Sequence, residues 1–196
     1  MTTRRIVFRT SLASLAARLA VSITLTGAFA VGLSACGEGD SGPKLTTGAE
    51  LQSCAEDDFR AAPLMGAGYN PESGFTGPVQ ESYIAHTTFL ILRPEAGERF
   101  NQLTGPIIAD LETREGLIAY SLGSSEQCGT VRTMGIWASQ EAMYDFVLGP
   151  AHSAAMAESA VVGENGATTS WEVLPDEIPM SWDLARRKIG ETTALY

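Results

Sequence analysis

Two histidines, His86 and His152, stand in a chain of 196 residues, and imidazole is the side chain whose ordinary pKa best suits moving a proton near neutral pH. His152 ends the stretch WASQEAMYDFVLGPAH. Gly149-Pro150 breaks the helical pattern there, and proline suits the first turn of a following helix. That places His152 at a positive helix end, where the dipole disfavours imidazolium. A neutral imidazole is the form a general base or a metal ligand requires. The same position also fits a partly exposed histidine packed beside Met156. His86 lies in the middle of YIAHTTFLILR. Alternation puts Ile84, Thr88, Leu90 and Leu92 on its face and Tyr83, Ala85, Thr87, Phe89 and Ile91 on the other. Both faces are largely apolar, the signature of a central strand covered on both sides. His86 therefore either enters a cavity with Thr88 or is a hydrogen-bonded core histidine. Trp137, Trp171 and Tyr120 can wall a flat aromatic ligand or simply fill the core. Two histidines on one cavity would make an oxygenase or a metal site credible.

Other chemistry is missing from the sequence. It holds no glycine-rich phosphate loop, no HExxH, no GxSxG and no paired-cysteine metal motif. No metal and no cofactor is expected from the residues alone.

The elements that must position the histidines begin after a leader. MTTRRIVFRTSLASLAAR carries Arg4, Arg5, Arg9 and Arg18 without an acidic residue, and LAVSITLTGAFAVGLSA follows as an apolar run. This is the layout of an export signal over residues 1–35; a plain secretory signal or a retained anchor are the alternatives. LSAC, from Leu33 to Cys36, resembles the lipobox of bacterial lipoproteins, which implies lipidation of Cys36 and an extracytoplasmic domain anchored to a bacterial membrane by acyl chains. With the leader gone, 9 basic residues face 23 acidic ones, a formal charge of −14. Such a chain repels phosphate backbones, so nucleic acid is excluded as a partner. Cys54 and Cys128 are then the only pair left in an oxidising compartment. They form a disulfide or remain two thiols, and zinc is disfavoured by their spacing.

Residues 36–48 read as a flexible tether, and 49–80 as an irregular extension tied down through Cys54. The domain proper spans 81–178, and 179–196 is a tail with a short helix. Within the domain YIAHTTFLILR is a strand ending before Pro94. Phe100, Leu103, Ile107 and Leu111 fall at helical spacing, with Pro106 implying a kink or two helices and Gly116 a C-terminal cap. LIAYSLG and TVRTMGIWA are strands, Ser139 caps the helix QEAMYDFVL, and TTSWEVL is a fourth strand. The order β-α-β-β-α-β predicts an α+β, ferredoxin-like antiparallel sheet with two helices on one face. The other face is left bare, and a second subunit is its simplest cover, so a homodimer is expected.

Residues from about Tyr83 to Pro175 resemble the antibiotic biosynthesis monooxygenase-like families of dimeric α/β-barrel proteins. The resemblance rests on RPEAGERF, REGLIAYSLG and above all GIWASQEAMYDFVLGPAH. It implies a dimer with a cavity between each sheet and its own helices. Some relatives oxidise aromatic molecules without a cofactor: a base takes a proton from an electron-rich substrate, and the carbanion reacts with oxygen. His152 or His86 would be that base, with Trp137, Tyr120 and Trp171 as walls. Other relatives bind or degrade haem through a histidine in the helix after the tryptophan. Here that neighbourhood is YDFVL, with Phe146 and no histidine, which disfavours haem. The expected function is an exported lipoprotein that binds a small apolar or aromatic molecule and oxidises it; a non-catalytic binding module at the cell envelope is the alternative.

Overall fold

The computed structural model describes residues 46–195; the expected signal segment, Cys36 and most of the tether lie outside them. In chain order the elements are α1 (Gly48–Leu51), β1 (Arg60–Ala61), β2 (Tyr69–Asn70), β3 (Gly74–Phe75), β4 (Tyr83–Leu92), α2 (Gly97–Leu111), β5 (Leu117–Ser125), β6 (Thr130–Trp137), α3 (Gln140–Val147), α4 (Pro150–Ala157), α5 (Ser159–Val162), β7 (Gly163–Val173), a 3₁₀ turn (Pro175–Glu177) and α6 (Trp182–Gly190). β4, β5, β6 and β7 with their helices form the expected α+β, ferredoxin-like arrangement. The sheet order is β1-β5-β6-β4-β7, antiparallel at every joint.

Several local signals act as their chemistry demands. Ser139 accepts a hydrogen bond from the Ala142 amide and starts α3. Pro150 opens α4 behind Gly149, so His152 does lie in a first turn. For α2, the alternative of two helices and the glycine cap are corrected. It runs unbroken through Pro106, which lies on the exposed side; there water can meet the carbonyl that the missing N–H orphans. Gly116 is not its cap. The helix closes at Glu112, and Gly116 takes a positive φ of 78° in the turn into β5, where a β-carbon would come within 2.5 Å of Ala142 Cβ. The last strand also starts earlier than TTSWEVL, at Gly163.

The larger difference lies at both ends of the domain. The extension is not irregular throughout. It lies along the β5 edge, with Ala62 N donating to Leu122 O at 2.9 Å, Met65 and Tyr120 exchanging backbone bonds at 3.0 and 3.1 Å, and Gly68 N donating to Ile118 O at 3.0 Å. Gly66 makes this approach feasible, since a β-carbon there would sit 2.6 Å from Ile118 O. The C-terminal segment packs on the domain through its short helix. Ser181 caps α6, whose Ala185 and Ile189 are buried against the sheet.

Together these segments cover the sheet face that the element order leaves bare. Leu64, Tyr69, Met180 and Ala185 bury Tyr83, Ala85, Met134 and Ile136, and Leu51 and Ile189 bury Phe89 and Ala167. A polar clamp holds the cover down. Arg132, 3% exposed, binds Glu56 with its Nε and lies over the Phe89 ring, 4.2 Å from its centroid. Glu56 also takes Arg186 of α6 at 3.0 Å. The Cys54–Cys128 disulfide, 74 residues apart in sequence, ties the same segment to the β5–β6 hairpin. The apolar area for which a second subunit was the simplest cover is thus covered by this chain itself. Among the described residues no helix is long and apolar enough to cross a membrane.

Candidate functional site

The helix-covered face carries the two histidines. On β4 and β6 the register pairs Ile84 with Trp137 and His86 with Gly135. Because Gly135 has no side chain, the His86 ring can lie across β6. A β-carbon on Gly135 would come 2.3 Å from His86 Cε1 and 3.2 Å from Trp137 Nε1. In that space Trp137 Nε1 donates to His86 Nδ1 at 2.8 Å. Trp137 is fully buried, and a buried indole N–H needs such a partner. From there the rings continue in a row. Trp137 stacks on Phe146 with centroids 5.2 Å apart, and Phe146 meets His152 at 4.9 Å. Leu111, Leu117 and Met143 pack around this row.

The hydrogen bonds assign the protons. Indole nitrogen is a donor only, so His86 Nδ1 is the acceptor and its neutral ring carries the proton on Nε2. His152 is opposite. Its Nδ1 lies 3.1 Å from the Val147 carbonyl, which can only accept, so Nδ1 holds the proton and Nε2 keeps its lone pair. One face of the sheet therefore offers an imidazole N–H donor at His86 and an imidazole base at His152.

Both rings are held neutral. Burial pushes the His86 pKa down to about 4, and the charge that His152 would carry pushes the same way. Burial also lowers His152, with the Val147 carbonyl pulling weakly upward. Beyond His86, Thr88 and Thr168 pair through their hydroxyls at 3.0 Å, so a polar stripe continues along β4.

Of the residues singled out in the sequence, His86, His152, Trp137 and Phe146 come together, and Tyr120 joins the same apolar cluster. Trp171 does not. It pairs with Ala85 rather than with a residue of the His86 parity, so it stands on the opposite face with Lys188 over its ring at 5.9 Å. A one-residue difference in parity decides this. Gly135 belongs to the site although its type carries no chemistry. Its signal in TVRTMGIWA is a glycine inside a strand two residues before the tryptophan, a mark of close approach. Cys54 and Cys128 are bridged. Among the described residues no three His, Cys, Asp or Glu side chains gather as a metal site.

No family model matches this sequence, and no curated protein matches it. Solved structures are similar to about half of it. Rv0793 from Mycobacterium tuberculosis is 19% identical with a TM-score of 0.43, covering 45% of this chain and 92% of its own. PA3566 from Pseudomonas aeruginosa is 11% identical with a TM-score of 0.44, covering 50% and 99%. A candidate monooxygenase from Lactobacillus acidophilus is 11% identical with a TM-score of 0.42, covering 50% and 49%. None of these likenesses says what this chain binds.

Proposed function

We propose that this chain is an exported lipoprotein, anchored through Cys36, whose domain binds a small apolar or aromatic molecule at the helix-covered face and oxidises it without a cofactor. The observation that carries the reading is the pair of oppositely protonated imidazoles joined by the Trp137–Phe146 row. His152 Nε2 takes a proton from an acidic carbon of the substrate. The electron pair left behind forms a carbon–oxygen bond to dioxygen; the resulting peroxide takes the proton back, and loss of water leaves a carbonyl. His86 Nε2–H stabilises the anionic intermediate. LSAC and the bridged cysteines support export.

Native mass spectrometry of the extracted protein identifies the bound molecule. With that molecule, or an enolisable aromatic ketone that binds, His152→Ala lowers turnover by about 100-fold and leaves Kd within twofold. Turnover at the wild-type rate ends the assignment of His152 as base. One observation favours a second reading, a module that only binds. Burial holds His152 below its ordinary basicity, which suits a permanent hydrogen-bond acceptor; a bound ligand with no oxygen uptake in the wild type selects that reading.

A further inference from the structure

The two edges of the main sheet are finished differently. The β5 edge is covered by β1 and by the extension as far as Gly68. The other edge is β7, whose 11 residues pair with β4 alone. Gly166 fixes which of its backbone groups look outward. Its carbonyl accepts from Leu195 N at 2.8 Å, away from β4, and the N–H and C=O of one strand residue point the same way. The outward row is therefore Gly166, Thr168, Ser170 and Glu172, continuing to Leu174 beyond the strand. Both ends of the row are capped. Gly166 N donates to Asn165 Oδ1 at 2.7 Å. Leu174 N donates to Glu177 Oε2 at 2.8 Å, and its carbonyl accepts from Glu177 N at 3.0 Å. Between the caps, among the described residues, the outward N–H and C=O of Thr168, Ser170 and Glu172 have no protein partner, and all three residues are exposed. An unpaired edge is a template for another strand. This one holds no proline, no lysine and no bulge between the caps.

We propose that the open stretch of β7 pairs antiparallel with the same stretch of a second copy of this chain, about a two-fold axis through Ser170. Register, charge and packing select that occupant. With Ser170 opposite Ser170, Thr168 meets Glu172 of the second copy and Glu172 meets its Thr168. Every open group is then used, and the caps fall just outside the paired stretch; a longer strand would run into Leu195 and the turn at Glu177. Glu172 is the one ionised side chain in the stretch, and it faces a threonine rather than a like charge. The two carboxylates stand roughly 14 Å apart along the strands, beyond the screening length at physiological salt. On the face covered by the extension, half-buried Trp171 meets Thr169 of the second copy, a favoured aromatic and β-branched pair. The axis is perpendicular to the sheet, so both histidine rows lie on one side of a continuous sheet. The dimer uses the edge alone and leaves the extension and α6 in place. It does not rest on the oxidation assigned to the histidine row.

Sedimentation equilibrium of the full chain, in density-matched detergent with micelles in excess, tests the dimer. So small an interface gives a weak monomer–dimer equilibrium, with a Kd of about 50 μM. Ser170→Pro removes an outward N–H and no bond to β4, a position where an edge strand tolerates proline, and weakens association by about tenfold or more. Ser170→Lys sets two ammonium groups face to face and has the same effect through the side chain alone, so a proline variant that fails to fold does not spoil the test. Under mild oxidation Ser170→Cys gives a linked dimer, because directly opposed residues sit about 5.5 Å apart, within disulfide reach. Thr168→Cys, roughly 14 Å from its counterpart, does not. A wild type that stays monomeric about tenfold above that Kd overturns the proposal. So does a dimer that Ser170→Pro and Ser170→Lys both leave at wild-type strength, since the contact then lies elsewhere. Linkage of Thr168→Cys as fast as that of Ser170→Cys overturns it too, by breaking the register. The readout is mass and not turnover, so this result stands whether or not His152 acts as a base.

Discussion

The two faces of the sheet are both covered by this chain but treat their polar groups in opposite ways. On the face covered by the extension and α6, charged groups find their partners within the protein: Glu56 pairs with Arg132 and Arg186, and Asp58 accepts hydrogen bonds from Ser125 and the Gln127 amide. On the face covered by α2 and α3, the polar groups keep a valence free. His86 and His152 each use one ring nitrogen internally and leave the other available. Satisfied buried networks hold a structure together, whereas half-used groups in an apolar setting are where ligand chemistry can act. The first face closes the fold, and the second leaves it something to do.

The contrast is most easily broken on the closed face. Arg132→Ala leaves Glu56 buried with Arg186 as its only cation and lowers unfolding free energy by about 3–5 kcal/mol in urea titration. The double variant Arg132→Met, Glu56→Leu recovers most of that loss. If the single variant costs under about 1 kcal/mol, the clamp does not hold the cover, and the difference between the faces disappears.

The open face answers to pH. The native fold holds His86 near 4 against an ordinary value of 6.5, so between those values the unfolded chain takes a proton that the native fold refuses. Stability from this residue is complete above about pH 6.5, declines as pH falls and levels off below about pH 4; the decline is at most about 3 kcal/mol. It is read as the difference between the wild type and His86→Gln in denaturant midpoints across that range. Identical profiles would show that His86 is as solvated folded as unfolded.

A smaller change sharpens the same face. Gly135→Ala places a methyl where the imidazole lies and costs about 1–3 kcal/mol by overpacking. Its decisive readout is the Trp137 indole N–H resonance, which loses its hydrogen-bonded shift when His86 is displaced. An unchanged resonance would mean that the glycine is not what admits the ring.

The parts of this contrast that the sequence made legible are the local ones. Ser139 as a cap, the Gly149-Pro150 break and His152 in a first turn each depend on a few neighbouring residues, as does the parity that sets His86 opposite Phe89. What could not be read depends on partners far along the chain. Trp171 could be assigned a face only once its register with Ala85 was known. The cover on the closed face joins Glu56 to Arg132 and Arg186, and no local pattern marks Glu56 as different from Asp57 beside it. Gly135 was visible as a strand glycine, but the ring that fills its place comes from another strand.

The point where the domain starts has a mechanical consequence. Thr47 bridges Thr193, and Ala194 N donates to Thr46 O, so the first and last described segments lie side by side. A pull on Thr46 is resisted first by that short bridge. Should it give way, the chain can pay out only from Thr46 to Cys54 before the disulfide passes the load to Cys128 and so to the hairpin of β5 and β6. A leash attached at this end can strain the domain's margin, yet the covalent bond delivers the force to the hairpin and not directly to β4, the strand that carries His86.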